Sequence, residues 1–325
     1  MNWRSLPEDD SRTAEYKKKL VRRFLTYQRE FFPEFEEYFE RRIPPVFHSR
    51  KEDHNVLLRP SSTREETTRL LELLPRNERH KWFRSMNSSQ ALAQSVLGNL
   101  AVHDELHCLT EITDDDSEEL LFGDAELSSG HFVMERKVTY LGEPRPTSLD
   151  GFILGRYQVA IECKFSEVGS CSRPRLKPSE SNYEAEFCNG TFTKQRGRTE
   201  RCALTQIGVL YWNYVPQLFT WGTATDLNPC PLYRNYQLVR NVLAACVRSY
   251  CNVSAANGHA ILVYDERNPA FQKGGDGFVA FEETRGALKI PSVLRKCSWQ
   301  RIMRHLRTNM ILPWLTEQLE LKYGL

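Results

Sequence analysis

The sequence has no apolar run long enough to cross a bilayer, and its opening residues, MNWRSLPEDD, lack the apolar stretch of a secretion signal. A cytoplasmic protein that does not enter a membrane is the expectation. A surplus of either charge is also missing: 44 Lys and Arg stand against 42 Asp and Glu, a formal net charge of +2. Overall charge therefore says nothing about a polyanionic partner, and local clusters must carry that argument. No CxxC pair occurs among the nine cysteines. An odd number of thiols without close pairs speaks against a disulfide framework and favours reduced cysteines. No internal repeat is visible.

What is present is a composition with 40% hydrophobic and 11% aromatic residues over 325 positions, enough to bury a real core. From Arg12 to about Arg42, Tyr16, Leu20, Phe24 and Tyr27 recur at helical spacing, with Pro33 expected to divide the segment. Lys17, Lys18, Lys19, Arg22 and Arg23 read as the solvated face of that helix. Ser62 with Glu65 suggests an N-cap before Leu70, Leu71 and Leu74, and Ser88 opens a stronger helix expected to stop at a left-handed Gly98–Asn99 cap. The acidic run from Asp114 to Glu119 reads as a solvated loop.

Three strands are expected at His131–Leu141, Ser148–Leu154 and Gln158–Phe165, followed by a polar excursion over 166–201. Helices at Ala203–Leu218 and Tyr236–Tyr250 precede a buried strand, Ala260–Tyr264, and a last helical segment, Trp299–Leu321, is interrupted at Pro313. The fold class is α/β, with a helical extension over 1–78 and a catalytic domain over 79–325.

The chemistry concentrates in SLDGFILGRYQVAIECK, residues 148–164. If residues 155–157 form a hairpin loop, Leu154 pairs with Gln158 and Asp150 falls opposite Glu162. Alternation along the strand puts Lys164 on the same face as Glu162. Two carboxylates and an ammonium converge on one surface amid apolar residues, an arrangement suited to Mg²⁺, which takes oxygen ligands and usually only one or two carboxylates. The carbonyl of Cys163 is a further candidate oxygen, and metal-assisted phosphodiester hydrolysis is the chemistry implied. The plainer alternative is a Glu–Lys pair on an exposed hairpin; the apolar flanks argue against it.

In this order of elements, with Asp150 and Glu162-Cys163-Lys164 on the meander, the chain resembles the PD-(D/E)XK nuclease superfamily. SSQA at 88–91, YLGEPRPTSLD at 140–150, YQLVRN at 236–241 and YDERNPAF at 264–271 are similar to a family of bacterial restriction-type endonucleases within it. The resemblance, spanning about Arg79 to Trp299, implies a restriction-endonuclease-like core of a mixed sheet flanked by helices. It implies that Asp150 and Glu162 bind Mg²⁺ or Mn²⁺ and that Lys164 positions the attacking water.

The first core helix offers Ser89, Gln90 and Gln94 where relatives often place an acid or histidine. Glu135 is the candidate replacement ligand, and Gln90, Gln237 and Arg240 are candidates to line the site. DNA is the implied partner, held by Arg173, Arg175, Lys177, Lys194, Arg196, Arg198 and Arg201 on the excursion. A homodimer or a partner protein of a defence or DNA-processing system is a further expectation.

Cys171, Cys188, Cys202 and Cys230 are a conceivable quartet for zinc or an iron–sulfur cluster, but their wide spacing favours scattered thiols. The competing functional class is a catalytically inert nucleic-acid-binding or partner-docking module with the same fold; the intact D, E and K argue for an enzyme.

Overall fold

The computed structural model describes residues 11–144, 146, 148–169, 188, 190, 202–222, 226–249 and 252–325. Helix α1 (Ser11–Phe31) buries the anticipated stripe of Tyr16, Leu20, Phe24 and Tyr27 and ends two residues before Pro33. A short antiparallel ribbon follows, Phe39–Glu40 against Val46–Phe47. The next helix, α2 (Arg64–Glu72), is capped by Thr63 rather than Ser62. Thr63 and Glu66 exchange a reciprocal pair of bonds, the capping box lying one residue later than expected. Both frames satisfy the same sequence pattern, so the pattern alone does not choose between them.

Helix α3 (Ser89–Ala93) starts at Ser88, whose hydroxyl accepts the N–H of Ala91. It does not stop at Gly98–Asn99. It passes through a π turn, Gln94–Gly98, and continues as Asn99–Val102, with Gly98 and Asn99 in right-handed helical backbone. Packing explains the glycine: a Cβ there would sit 2.8 Å from Leu70 Cδ1 of α2. Asn99 is kept in the helix by donating its side-chain amide to the carbonyls of Leu57 and Ser95.

A mixed five-stranded sheet forms the centre, in the order β1 (Phe132–Lys137), β2 (Ser148–Ile153), β3 (Gln158–Cys163), β4 (Gly258–Tyr264) and β5 (Leu294–Ser298). The first three strands make an antiparallel meander, and β3, β4 and β5 run parallel. One face packs against helices α4 (Tyr211–Leu218), α5 (Tyr236–Cys246) and α6 (Asp276–Ala287) through Phe152, Ala160, Ala260 and Leu262. The other packs against α1, α3, α7 (Trp299–Thr308) and α8 (Pro313–Tyr323) through Ile153, Ile161, Cys163 and Val263. Helix α1 reaches the end of β3: Tyr16 Oη lies 3.0 Å from the carbonyl oxygen of Phe165 and 2.9 Å from Asp265 Oδ2.

Helix α6 and strand β5 were not anticipated, and the acidic run, a loop exposed from residue 116 to 119 as expected, is anchored at its start by the buried Asp114. These departures are linked. The sequence of β5, LRKCS, reads as polar, yet all five residues are buried. Lys296 Nζ meets Asp116 at 2.9 Å and Arg295 Nη2 meets Glu119 at 3.3 Å. Asp114 is itself buried, accepts the N–H of Lys296 at 2.7 Å, and faces Arg285 of α6. The acidic segment thus covers the outer edge of β5, removing an exposed strand edge.

Candidate active site

The registers of the meander continue into a row of three carboxylates. Met134 and Arg136 pair with Gly151 and Leu149, and Gly151 pairs with Ile161. The same registers set Glu135 beside Asp150 and Asp150 beside Glu162, the last as the hairpin count requires. Like charges in adjacent strand positions repel, and the ladder opens here. Asp150 Oδ2 accepts the N–H of Cys163 at 2.7 Å in place of a regular pair. Glu135 adopts a left-handed backbone, φ 48°, uncommon for a residue with a side chain.

Glu162 and Lys164 are both buried, 4% and 8% exposed, and Lys164 Nζ donates to Glu162 Oε1 at 2.7 Å. Helix α5 supplies the rest of the cage. Arg240 Nη2 and Asn241 Nδ2 donate to Glu162 Oε2 at 3.1 and 2.7 Å, and Lys164 also donates to Gln237 Oε1 at 3.2 Å. Residues 237, 240 and 241 share one helix face by their spacing. Beyond Lys164 the backbone is tethered, with Trp299 Nε1 donating to the carbonyl of Lys164 and Asn268 Nδ2 to those of Phe165 and Glu167.

These groups open onto a cavity of about 830 Å³. Its lining carries five carboxylates, Glu78, Glu135, Asp150, Glu162 and Glu167, against three side-chain cations, Arg42, Lys164 and Arg240. Burial, then Glu162 and Glu135, push Asp150 well above the usual carboxylate range. Burial raises Glu135 as well. For Glu162 burial works upward, but Lys164 and Arg240 outweigh it and the carboxyl lies below its ordinary value. Burial opposes the charge on Lys164 too, yet Glu162, Glu167 and Asp150 overcome it and hold the ammonium more firmly than usual. Lys164 is therefore a charged hydrogen-bond donor here.

The donor set fits a divalent cation. Asp150 Oδ1 has no hydrogen-bond partner among the described residues, and the three donors on Glu162 fill three of its roughly four acceptor positions. Among the described residues no three His, Cys, Asp or Glu side chains are placed to hold a metal by themselves. An ion here would rest on two carboxylates and take its other oxygens from water or substrate, the habit of magnesium.

Every site-lining residue anticipated from sequence borders this cavity: Gln90, Glu135, Gln237 and Arg240, together with Asp150, Glu162, Cys163 and Lys164. Gln90 donates to the carboxylate of Glu135 and accepts the N–H of His80 at 2.8 Å. Gln94 points elsewhere, to the carbonyl of Leu70. Two residues were missed. Asn241 follows Gln237 by one helical turn, a signal available in the sequence; Glu167, which accepts from Ser89 Oγ and the N–H of Phe165 at 2.6 Å, carries none.

Arg173, Arg175, Lys177, Lys194, Arg196, Arg198 and Arg201 lie outside the described residues, as does Cys171. Cys188, Cys202 and Cys230 are buried. No helix among the described residues is long and apolar enough to cross a membrane.

No curated protein and no solved structure matches the chain. The family model described as restriction endonuclease associating with ARP matches residues 17–324, nearly the whole chain, and the protein belongs to that family.

Proposed function

We propose that the chain is a magnesium-dependent nuclease of the PD-(D/E)XK type that hydrolyses DNA phosphodiester bonds. The observation that carries this reading is the pairing of Lys164 with Glu162 beside Asp150, in a cavity whose carboxylates outnumber its cations. Asp150 and Glu162 would hold the metal, with the Cys163 carbonyl and water as further oxygens and Glu135 beside them as an outer acid. A bound Mg²⁺ or Mn²⁺ would offset the cavity's excess negative charge and that of the phosphate, and activate water for attack. Lys164, kept as an ammonium by its acidic neighbours, orients water or a phosphate oxygen by donating a hydrogen bond, and Gln237 steers its head group. Arg240 and Asn241 hold Glu162 in one orientation.

The family's description supports cleavage in a restriction, phage-defence or other DNA-processing setting, and an ARP as the associated protein. The test is incubation of the purified protein with plasmid and short duplexes in Mg²⁺ or Mn²⁺, comparing wild type with Asp150→Ala and Lys164→Ala. Loss of cleavage in both variants is expected. Equal activity in all three proteins would eliminate the site.

A further inference from the structure

The cavity extends beyond what a cation and one phosphate require. Besides the sheet residues, its lining includes Arg42, Ile43, His80 and Trp82 from the N-terminal third. Two large apolar side chains among these face solvent: Ile43 is 72% exposed and Trp82 43%. Trp82 is held in place through its backbone, its N–H donating to His80 Nδ1 at 3.1 Å and its carbonyl accepting the N–H of Ser85 at 2.9 Å. Lys81 Nζ lies 5.3 Å from the centre of the indole. An exposed indole and an isoleucine in a cavity otherwise lined mainly by polar and charged side chains are unfavourable in water, so the molecule that enters should cover them.

We propose that Trp82, flanked by Ile43, is a stacking platform for an unpaired base adjoining the phosphate that is cut, so that the preferred substrate is single-stranded or locally opened nucleic acid. The inference rests on the nuclease reading and adds the substrate class to it. Continuity decides the occupant: the platform and the Asp150–Glu162–Lys164 group share one cavity, so whatever covers the indole is attached to what the acids and lysine handle. A nucleotide joins a flat π face to an anion, and stacking on an aromatic ring tolerates any base. Lys81 lies over one face of the indole, leaving the other for a base, and Arg42 lines the same cavity, so both can meet neighbouring phosphates. A base inside a duplex cannot present its face in this way; an unpaired or extruded base can.

The test measures binding of a fluorescein-labelled single-stranded oligonucleotide and of the matching duplex by polarisation, in Ca²⁺ to slow hydrolysis. Wild type is compared with Trp82→Ala, Trp82→Phe and Ile43→Ser, the last at a side chain too exposed to disturb the core. Trp82→Ala should weaken single-strand binding about 5- to 150-fold, the range one base stack is worth. Trp82→Phe should restore most of the affinity, Ile43→Ser should weaken binding less, and duplex affinity should hardly change.

Single-strand binding by Trp82→Ala equal to wild type, or an equal loss on both substrates, overturns the stacking site while leaving the nuclease reading intact. So does loss of self-association with nucleic-acid binding unchanged, which would make Trp82 a protein contact. If wild type neither binds nor cleaves any nucleic acid, the nuclease reading fails and takes this inference with it.

Discussion

Arg240 of α5 donates to Oε2 of Glu162 on β3 at 3.1 Å, and both side chains are almost wholly removed from solvent. An ion pair at such depth gains little over an apolar pair of the same shape, because both charges give up hydration. Removing Arg240 is another matter, since Glu162 then loses one of its two countercharges and keeps only Lys164. The helix and the strand are thereby locked together at the point where the carboxylate meets Lys164.

Arg240→Met should therefore cost about 3–5 kcal/mol of stability, read from urea unfolding. In a Glu162→Gln background the same change should cost clearly less, because no carboxylate remains there to lose a countercharge. Equal costs in the two backgrounds would show that the pair is not coupled.

Asp150 gives a pH-dependent prediction. Its folded-state pKa is raised by burial and by Glu162 and Glu135, so above the ordinary carboxylate range the folded protein keeps a proton that the unfolded chain releases. Stability then falls as pH rises toward the raised value. Without metal, Asp150→Asn should melt higher than wild type, with the gap widening as pH rises above the ordinary carboxylate range. Mg²⁺ should raise the melting temperature of wild type by mass action and leave the variant unmoved. A variant that still responds to Mg²⁺ places the cation elsewhere.

Lys322 is wholly buried on α8, where Nζ donates to the carbonyl and the side-chain oxygen of Asn55 at 2.6 and 2.9 Å. Burial lowers its pKa to about 7 from 10.5, and a neutral amine retains both bonds. Between those values the unfolded chain holds the proton and the folded protein does not, so this group makes stability rise with pH. The slope should be about 1.4 kcal/mol per pH unit. The neighbouring hydroxyls of Tyr27 and Tyr323 titrate above this window. Comparing denaturation midpoints from pH 7 to 9 should show that Lys322→Met removes this rise.

Gly258 opens β4, and a Cβ there would stand 2.0 Å from the carbonyl oxygen of Gln158 and 3.0 Å from that of Ala245. Both obstacles are backbone, so they cannot swing aside. Gly258→Ala should destabilise the protein by about 1–3 kcal/mol or more. Gly286, whose surroundings within 4 Å are open, should accept alanine without loss; calorimetry of both variants separates the two cases.

Much of the candidate site follows from local rules. A period of two and a three-residue loop at 155–157 are enough to set Asp150 against Glu162 and to bring Lys164 onto the same face, and the ladder pairing Ile153 with Val159 has that register. The helix period likewise brings Gln237 and Arg240 to one side of α5. Such relationships lie within a few residues or across one hairpin, so the chain's own geometry dictates them.

The remainder belongs to tertiary structure. The positive φ of Glu135, its bond to Gln90, and Glu162's attachment to Asn241 each join segments 45 or more residues apart or answer a crowding that arises only once three carboxylates are adjacent. The same holds for the acidic run over β5, where a strand that looks solvated in isolation becomes buried because Asp114, Asp116 and Glu119 bring hydrogen bonds and countercharge to its edge. Local sequence determines backbone period and side-chain facing. Only packing brings distant charges close enough to neutralise one another, and so decides which charged residues leave the solvent.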